Sequence, residues 1–145
     1  MNKPELITTF IYTDDRGIIQ GTNSLDLSKL DIRRFYIVTN HKQGFIRAFH
    51  GHKEEKKYLY VIKGVITVKI IAFEDVELKN NIHTYHLNSN NLLVIPNGYY
   101  HGYKNLTQDT IIMVMSNKTL DESRKDDYRL KYDYFGSEIW EDFYR

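Results

Sequence analysis

The sequence predicts an all-β fold, a sandwich or barrel of many short strands, with a short C-terminal segment laid against it. Runs rich in Val, Ile, Tyr and Phe recur along the chain, each bounded by Gly, Asn, Asp or Pro. Aromatic residues make up 14% of the 145 positions, twelve of them Tyr, a composition that suits strands. Helical patterning is confined to Leu25–Leu30 and the polar Asp121–Asp127.

Taken in order, strands are expected at Ile7–Tyr12, Arg33–Thr39, Gly44–His52, Lys57–Lys63, Val65–Phe73, Thr84–Leu87, Asn91–Ile95 and Thr110–Met115. Lys63-Gly64 sits between two apolar runs and reads as a hairpin turn. Pro96-Asn97-Gly98 reads as another, after which His101 opens a further strand. The tail from Tyr128 changes character, with Tyr132, Tyr134, Phe135, Trp140, Phe143 and Tyr144 among charged residues. Such a segment is expected to pack across a surface, at the barrel mouth or a subunit interface. No repeat, linker or low-complexity stretch divides the chain, so residues 1–145 are read as one domain, large enough to bury a core without staples.

A net charge of +1 argues against a nucleic-acid partner, which calls for a concentrated basic excess. Cysteine is absent, which removes disulfides and thiolate chemistry. No stretch resembles a signal peptide or is long enough to cross a membrane, so a soluble, cytoplasmic protein is expected.

The chemistry lies in two segments. In Gly44-Phe-Ile-Arg47-Ala-Phe-His50-Gly-His52-Lys53, strand alternation puts His50 and His52 on one face. In Pro96-Asn-Gly98-Tyr-Tyr-His101-Gly-Tyr-Lys-Asn105, a third histidine follows a turn and can face that pair. The segments resemble the two signature motifs of the cupin superfamily, which implies a jelly-roll barrel with a polar pocket. A metal-binding cupin places a Glu a few residues after the paired histidines. That place falls here at Lys56 or Lys57, with Glu54 and Glu55 out of step, so no metal is expected. The other chemistry is acid–base: a neutral imidazole removes a proton beside a ketone, and the Lys57 ammonium holds the resulting oxyanion. A lone histidine would more simply line the barrel, hydrogen-bonded to backbone. Three histidines converging with an Arg and a Lys favour function, whereas His83 and His86 read as surface strand residues and His41 as a turn residue.

Further motifs extend the resemblance. Asp15-Arg16-Gly17, Ile46-Arg47-Ala48-Phe49-His50, Lys57 seven residues before Gly64, and Ile95-Pro96-Asn97-Gly98-Tyr99-Tyr100-His101-Gly102 follow one another. An Asp-x-x-Arg…Tyr-Asp-Tyr-Phe-Gly…Trp pattern runs from Asp126 to Trp140. In these residues the chain resembles the dTDP-4-dehydrorhamnose 3,5-epimerase family. The resemblance implies a homodimeric cupin that needs no cofactor, acts on a nucleotide-diphosphate 4-keto sugar and serves surface-polysaccharide synthesis. It also implies His50 as the base at C3 and Lys57 as the oxyanion partner. Arg47 and Arg16 would clamp phosphate, with Arg16 reaching into its own or the neighbouring subunit, and His52 and His101 would contact the sugar. The Arg-x-x-His-x-His-Lys run from Arg47 to Lys53 is also similar to dTDP-sugar 3,4-ketoisomerases, in which His52 would be a second catalytic histidine; those enzymes typically carry Gln at the Lys57 position.

The chain departs from the epimerase pattern in several places. The family's proton-donating Tyr falls at Met115, and the carboxylate partner of the base belongs to an extension that this chain lacks. Asp133 or Glu138 could replace that carboxylate, and Tyr58, Tyr60 or Tyr103 the acid. Ile18, Ile19, Gln20 and Gly21 stand where the family contacts the nucleotide base. The expected activity is therefore epimerisation at C3, or at C3 and C5. A 3,4-ketoisomerase, or a metal-binding or non-catalytic cupin module, is the alternative.

Overall fold

Among the described residues the short apolar runs form twelve strands, arranged as two five-stranded sheets and a separate hairpin. A computed structural model describes residues 2–141. The strands are β1 (Glu5–Thr8), β2 (Phe10–Asp14), β3 (Gly17–Gly21), β4 (Arg34–Asn40), β5 (Ile46–His52), β6 (Lys57–Lys63), β7 (Ile66–Ala72), β8 (His83–Leu87), β9 (Asn91–Ile95), β10 (Tyr99–Asn105), β11 (Thr110–Ser116) and β12 (Tyr128–Arg129). The first sheet runs β1-β9-β6-β11-β4 and the second β12-β5-β10-β7-β8, while β2 and β3 pair with each other. The sheets face each other as a jelly-roll sandwich of the cupin kind, without closing into a continuous barrel among the described residues.

Alternation decides which residues meet between the sheets. On β6, Leu59 and Val61 enter the central core, so Lys57 shares their inward phase. Tyr58 and Tyr60 point to an outer layer with Leu92 and Met115. On β11, Ile112 and Val114 face inward, which leaves Met115 outside and brings Ser116 in. The central core also takes Ile66, Val68 and Ile70 from β7 and Leu93 and Ile95 from β9. Burying each such side chain contributes about 1.5–3 kcal/mol.

A bulge adjusts this alternation beside the site. Between β10 and β5, His101 lies opposite His50 and Tyr103 opposite Arg47, with a register shift between them. Three steps along β5 thus match two along β10, and Arg47 stays in phase with His50 instead of reversing. The backbones are so close here that a Cβ on Gly102 would fall on the Ala48 side chain.

The expected strand Ile7–Tyr12 is divided at Thr9. β1 joins β9, whereas β2 leaves the sheet to pair with β3. Strands β3 and β12 were not expected from the sequence. The hairpin glycines Gly64 and Gly98 have φ of 96° and 88°, which explains a glycine in both turns. The Asp121–Asp127 stretch contains helix α1 (Leu120–Arg124), opened by a capping box between Thr119 and Glu122. The Leu25–Leu30 stretch holds only a 3-10 turn, Leu27–Lys29.

The C-terminal segment covers the outer face of the second sheet. Phe49 and Leu130 exchange backbone hydrogen bonds of 2.9 and 3.2 Å, extending β5 outward. Phe135 and Trp140 pack on Phe49 with ring centroids 5.2 and 5.6 Å away. Phe143 and Tyr144 lie outside the described residues. No described helix is long and apolar enough to cross a membrane.

Filling the Gly102 approach must push β5 from β10. Gly102→Ala is expected to cost about 1–3 kcal/mol, read as a lower urea midpoint. An unchanged midpoint would show that the strands can part freely.

Candidate active site

Residues far apart in sequence meet at one end of the space between the sheets. His50 and His52 come from β5 and His101 from β10, and the His101 ring lies 6.5 and 6.1 Å from the other two. Lys57 comes from the facing sheet and is buried. Its ammonium donates to the Tyr36 hydroxyl at 3.2 Å. Tyr36, on β4, carries the Arg34 guanidinium over its ring at 5.1 Å. Arg47 donates through Nε to Asn40 Oδ1 at 2.7 Å, beside Tyr103.

The electrostatics keep the imidazoles neutral. Burial first, and the Lys57 ammonium second, lower the pKa of His50, His52 and His101 below 6.5, the last well below it. His52 Nδ1 lies 2.7 Å from the Asp126 carbonyl oxygen and 3.1 Å from Glu55 Oε2. Both partners are acceptors, so Nδ1 carries the hydrogen and Nε2 keeps its lone pair. His52 Nε2 and His101 Nε2 are buried without a hydrogen-bond partner among the described residues. Burial also pushes the Tyr103 phenol up to about 12, and its hydroxyl lacks a partner of good geometry. The arrangement offers neutral bases and a fixed cation within one polar end.

Glu55 is the group that sequence reasoning set aside. Its carboxylate accepts from Arg34 Nη2 at 3.1 Å, Ser116 Oγ at 2.5 Å and Ser123 Oγ at 2.8 Å. The Asp126 carboxylate accepts the backbone N–H groups of Lys53, Glu54 and Glu55 at 2.8, 2.8 and 3.0 Å. This holds the bend after β5 and carries Glu55 out of strand alternation, so counting in twos could not place it. Burial acts against both carboxylates, but the hydrogen bonds prevail and both have lowered pKa values.

The site does not fit a metal. Lys57 faces the three imidazoles, Glu55 is committed to its donors, and no three His, Asp or Glu side chains among the described residues form a metal-binding group. Asp133 and Glu138 are exposed on the C-terminal segment. Arg16 is exposed in the β2–β3 turn, with its guanidinium on Asp14 at 2.6 Å, and the structure does not bring it to the histidines. Met115, Tyr58 and Tyr60 face the outer layer, leaving Tyr103 as the inward member of the acids considered from sequence. Tyr36 was missed because nothing in β4 marks its phase until β11 pairs with it. His83, His86 and His41 are exposed.

A family model described as FdtA: WxcM-like, C-terminal matches residues 2–140. The chain belongs to the WxcM-like family. Comparison with curated proteins finds no match. Among solved structures, the WxcM-like chain is similar to a dTDP-4-dehydrorhamnose 3,5-epimerase from Bacillus anthracis with TDP and PPi bound. The TM-score is 0.73 at 22% identity, over 90% of this chain and 79% of that one. A 3,4-ketoisomerase from Helicobacter canadensis gives 0.70 at 22% identity, over 91% and 93%. The WlaRB TDP-quinovose 3,4-ketoisomerase from Campylobacter jejuni gives 0.69 at 20% identity, over 93% and 98%. At these identities the likeness is one of fold, and it agrees with the two-sheet architecture.

The imidazoles make stability pH-dependent. Their folded pKa values lie below the unfolded 6.5, so the unfolded chain binds more protons as the pH falls. Their contribution is complete above 6.5 and is lost below it, whereas the contributions of Glu55 and Asp126 stay complete down to their ordinary values of 4.5 and 3.8 and are lost only below those. The urea midpoint should fall between pH 7.5 and 5.5, and His101→Asn should flatten that slope. A flat wild-type profile across the interval would contradict the neutral assignment.

Proposed function

We propose that the protein is an isomerase of nucleotide-diphosphate 4-keto sugars that moves the carbonyl between C4 and C3. The observation that carries proton abstraction beside a ketone is the Lys57 ammonium, buried opposite three imidazoles that it helps keep neutral. The choice of carbonyl migration rests instead on the two histidines of β5, since ketoisomerases typically carry Gln at the Lys57 position. A neutral imidazole takes the C3 proton, the C–H electron pair becomes the C3=C4 bond, and negative charge moves to O4 beside Lys57. Return of a proton to C4, with transfer of the O3 hydrogen to O4, leaves the ketone at C3. Two relays are therefore needed, one at carbon and one between oxygens. His52, with its free Nε2, serves at carbon and His50 at oxygen.

Both relays come from the same strand, which suits proton movement along one face of the sugar. The chain also matches the ketoisomerases over nearly their whole length. Arg47 is assigned to the diphosphate and His101 to the sugar, whereas Arg16, held on Asp14 away from the histidines, is assigned to the diphosphate bound in the neighbouring subunit. Names that mention TDP among the similar structures support a thymidine carrier. A homodimer is supported by exposed apolar residues, Ile18 and Ile19 on the hairpin and Phe35 and Ile37 on the outer face of β4.

The second reading is epimerisation at C3, or at C3 and C5. Tyr36 favours it: a phenol opposite the histidines could return a proton from the other face of the ring.

Incubation with TDP-4-keto-6-deoxyglucose in D₂O separates the readings by NMR. Carbonyl migration with deuterium at C4 is expected. Label at C3, or at C3 and C5, with the carbonyl in place selects the epimerase, and no uptake from a panel of 4-keto sugar nucleotides removes the isomerase reading. Lys57→Met should reduce turnover by about 100-fold or more, and full activity in that variant would exclude Lys57 as the oxyanion partner. Sedimentation should give twice the monomer mass, and a monomer at micromolar concentration would exclude the dimer.

A further inference from the structure

We propose that Glu55 is the positioning carboxylate of this site: it orients the His52 imidazole and stabilises its protonated form. The inference deepens the isomerase reading and rests on it for its catalytic readout alone.

A fully buried carboxylate is costly unless it is paired and hydrogen-bonded. The Glu55 side chain is 0% exposed, and its donors come from four different elements. Arg34 lies on β4, Ser116 on β11, Ser123 on α1 and His52 on β5. Only the last is one of the proposed bases. The serines and Arg34 hold the carboxylate still, and His52 receives the consequence.

His52 has two acceptors at one nitrogen, the Asp126 carbonyl oxygen and Glu55 Oε2. The carbonyl suffices to select the tautomer. The carboxylate adds a charge, which the carbonyl cannot supply, and therefore favours the imidazolium that forms when Nε2 takes a proton. The charged and titratable neighbours of His52 are Lys57 on β6, His50 on β5, His101 on β10, Glu55 in the bend and Asp126 after α1. Lys57 drives His52 toward neutrality, while Glu55 and Asp126 oppose it. Burial and Lys57 thus leave His52 unprotonated in the resting protein, while Glu55 supplies a counter-charge for its protonated form. Among the described residues His50 has no carboxylate in contact; Asp127 acts on it only through space, beside Arg129.

The test uses the full chain with isotopically labelled histidine and the variants Glu55→Gln, Glu55→Asp and Ser123→Ala. NMR should show the Nδ1–H tautomer of His52 in the wild type. In Glu55→Gln its titration midpoint should fall by about one unit or more, with turnover in D₂O reduced about tenfold or more and KM little changed. Glu55→Asp should recover part of both effects. Ser123→Ala loosens the carboxylate without removing it, so it should move the midpoint less in the same direction and stands in if Glu55→Gln does not fold. An Nε2–H tautomer in the wild type overturns the proposal. So does an unmoved midpoint in Glu55→Gln, or in Ser123→Ala should that variant stand in, whatever the loss of stability. A shifted midpoint in a protein that turns over no sugar nucleotide upholds Glu55 and removes the isomerase reading. Turnover with an unmoved midpoint does the reverse.

Discussion

The buried charge of Glu55 is the constraint on which the rest of the site depends. An unpaired carboxylate in that position would unfold the region or take up a proton, because the cost of desolvating a charge exceeds what one domain can spare. The fold meets it with donors from β4, β11, α1 and β5, so these elements must be in place together. The short helix α1 has little reason to exist otherwise. Its five residues bury only Ser123, the residue that bonds Glu55, and it ends just before Asp126, which holds the bend carrying Glu55.

Lys57 is the complementary case. It is buried with a hydroxyl oxygen as its hydrogen-bond partner and with imidazoles facing it, and the Glu55 carboxylate acts on it only through space. A carboxylate in contact would satisfy the ammonium in the resting state and leave less attraction for charge that develops during reaction. With no carboxylate hydrogen-bonded to it, the cation remains able to attract an anion formed between the sheets. Glu55 and Lys57 thus take opposite electrostatic roles. The carboxylate is saturated and rigid, whereas the ammonium is left with its demand unmet.

Much of this was legible in the sequence. Strands β5, β6, β7, β9 and β11 follow from apolar runs and turn residues, and the meeting of His50, His52, His101 and Lys57 follows from alternation and resemblance together. What was not legible depended on breaks in alternation. Arg47 keeps phase with His50 only through the bulge against β10, and Glu55 reaches His52 only through the bend that Asp126 holds. Met115 illustrates the opposite error: its position along the chain invited comparison with a catalytic Tyr, but its phase on β11 turns it to the outer layer. Tyr36, two strands from β6 in the same sheet, takes the inward place instead, and no local pattern could have paired it with Lys57.

The likeness to both epimerases and ketoisomerases has a physical origin. Both reactions pass through the same enediolate, so both need a neutral base, a donor that stabilises O4 and exclusion of water, which a two-sheet fold with one polar end provides. They part only in where the proton returns, and that depends on which wall carries a usable acid. On the β5–β10 wall the imidazoles have free nitrogens; on the facing wall Tyr36 accepts from Lys57 and lies under Arg34. Those contacts hold the phenol in place between two cations. To donate from the opposite face, Tyr36 would have to give up its proton while keeping Lys57 on the developing oxyanion, and the same ammonium cannot serve both oxygens fully. The histidine wall carries no such conflict, and the proposal of proton return along one face rests on that difference.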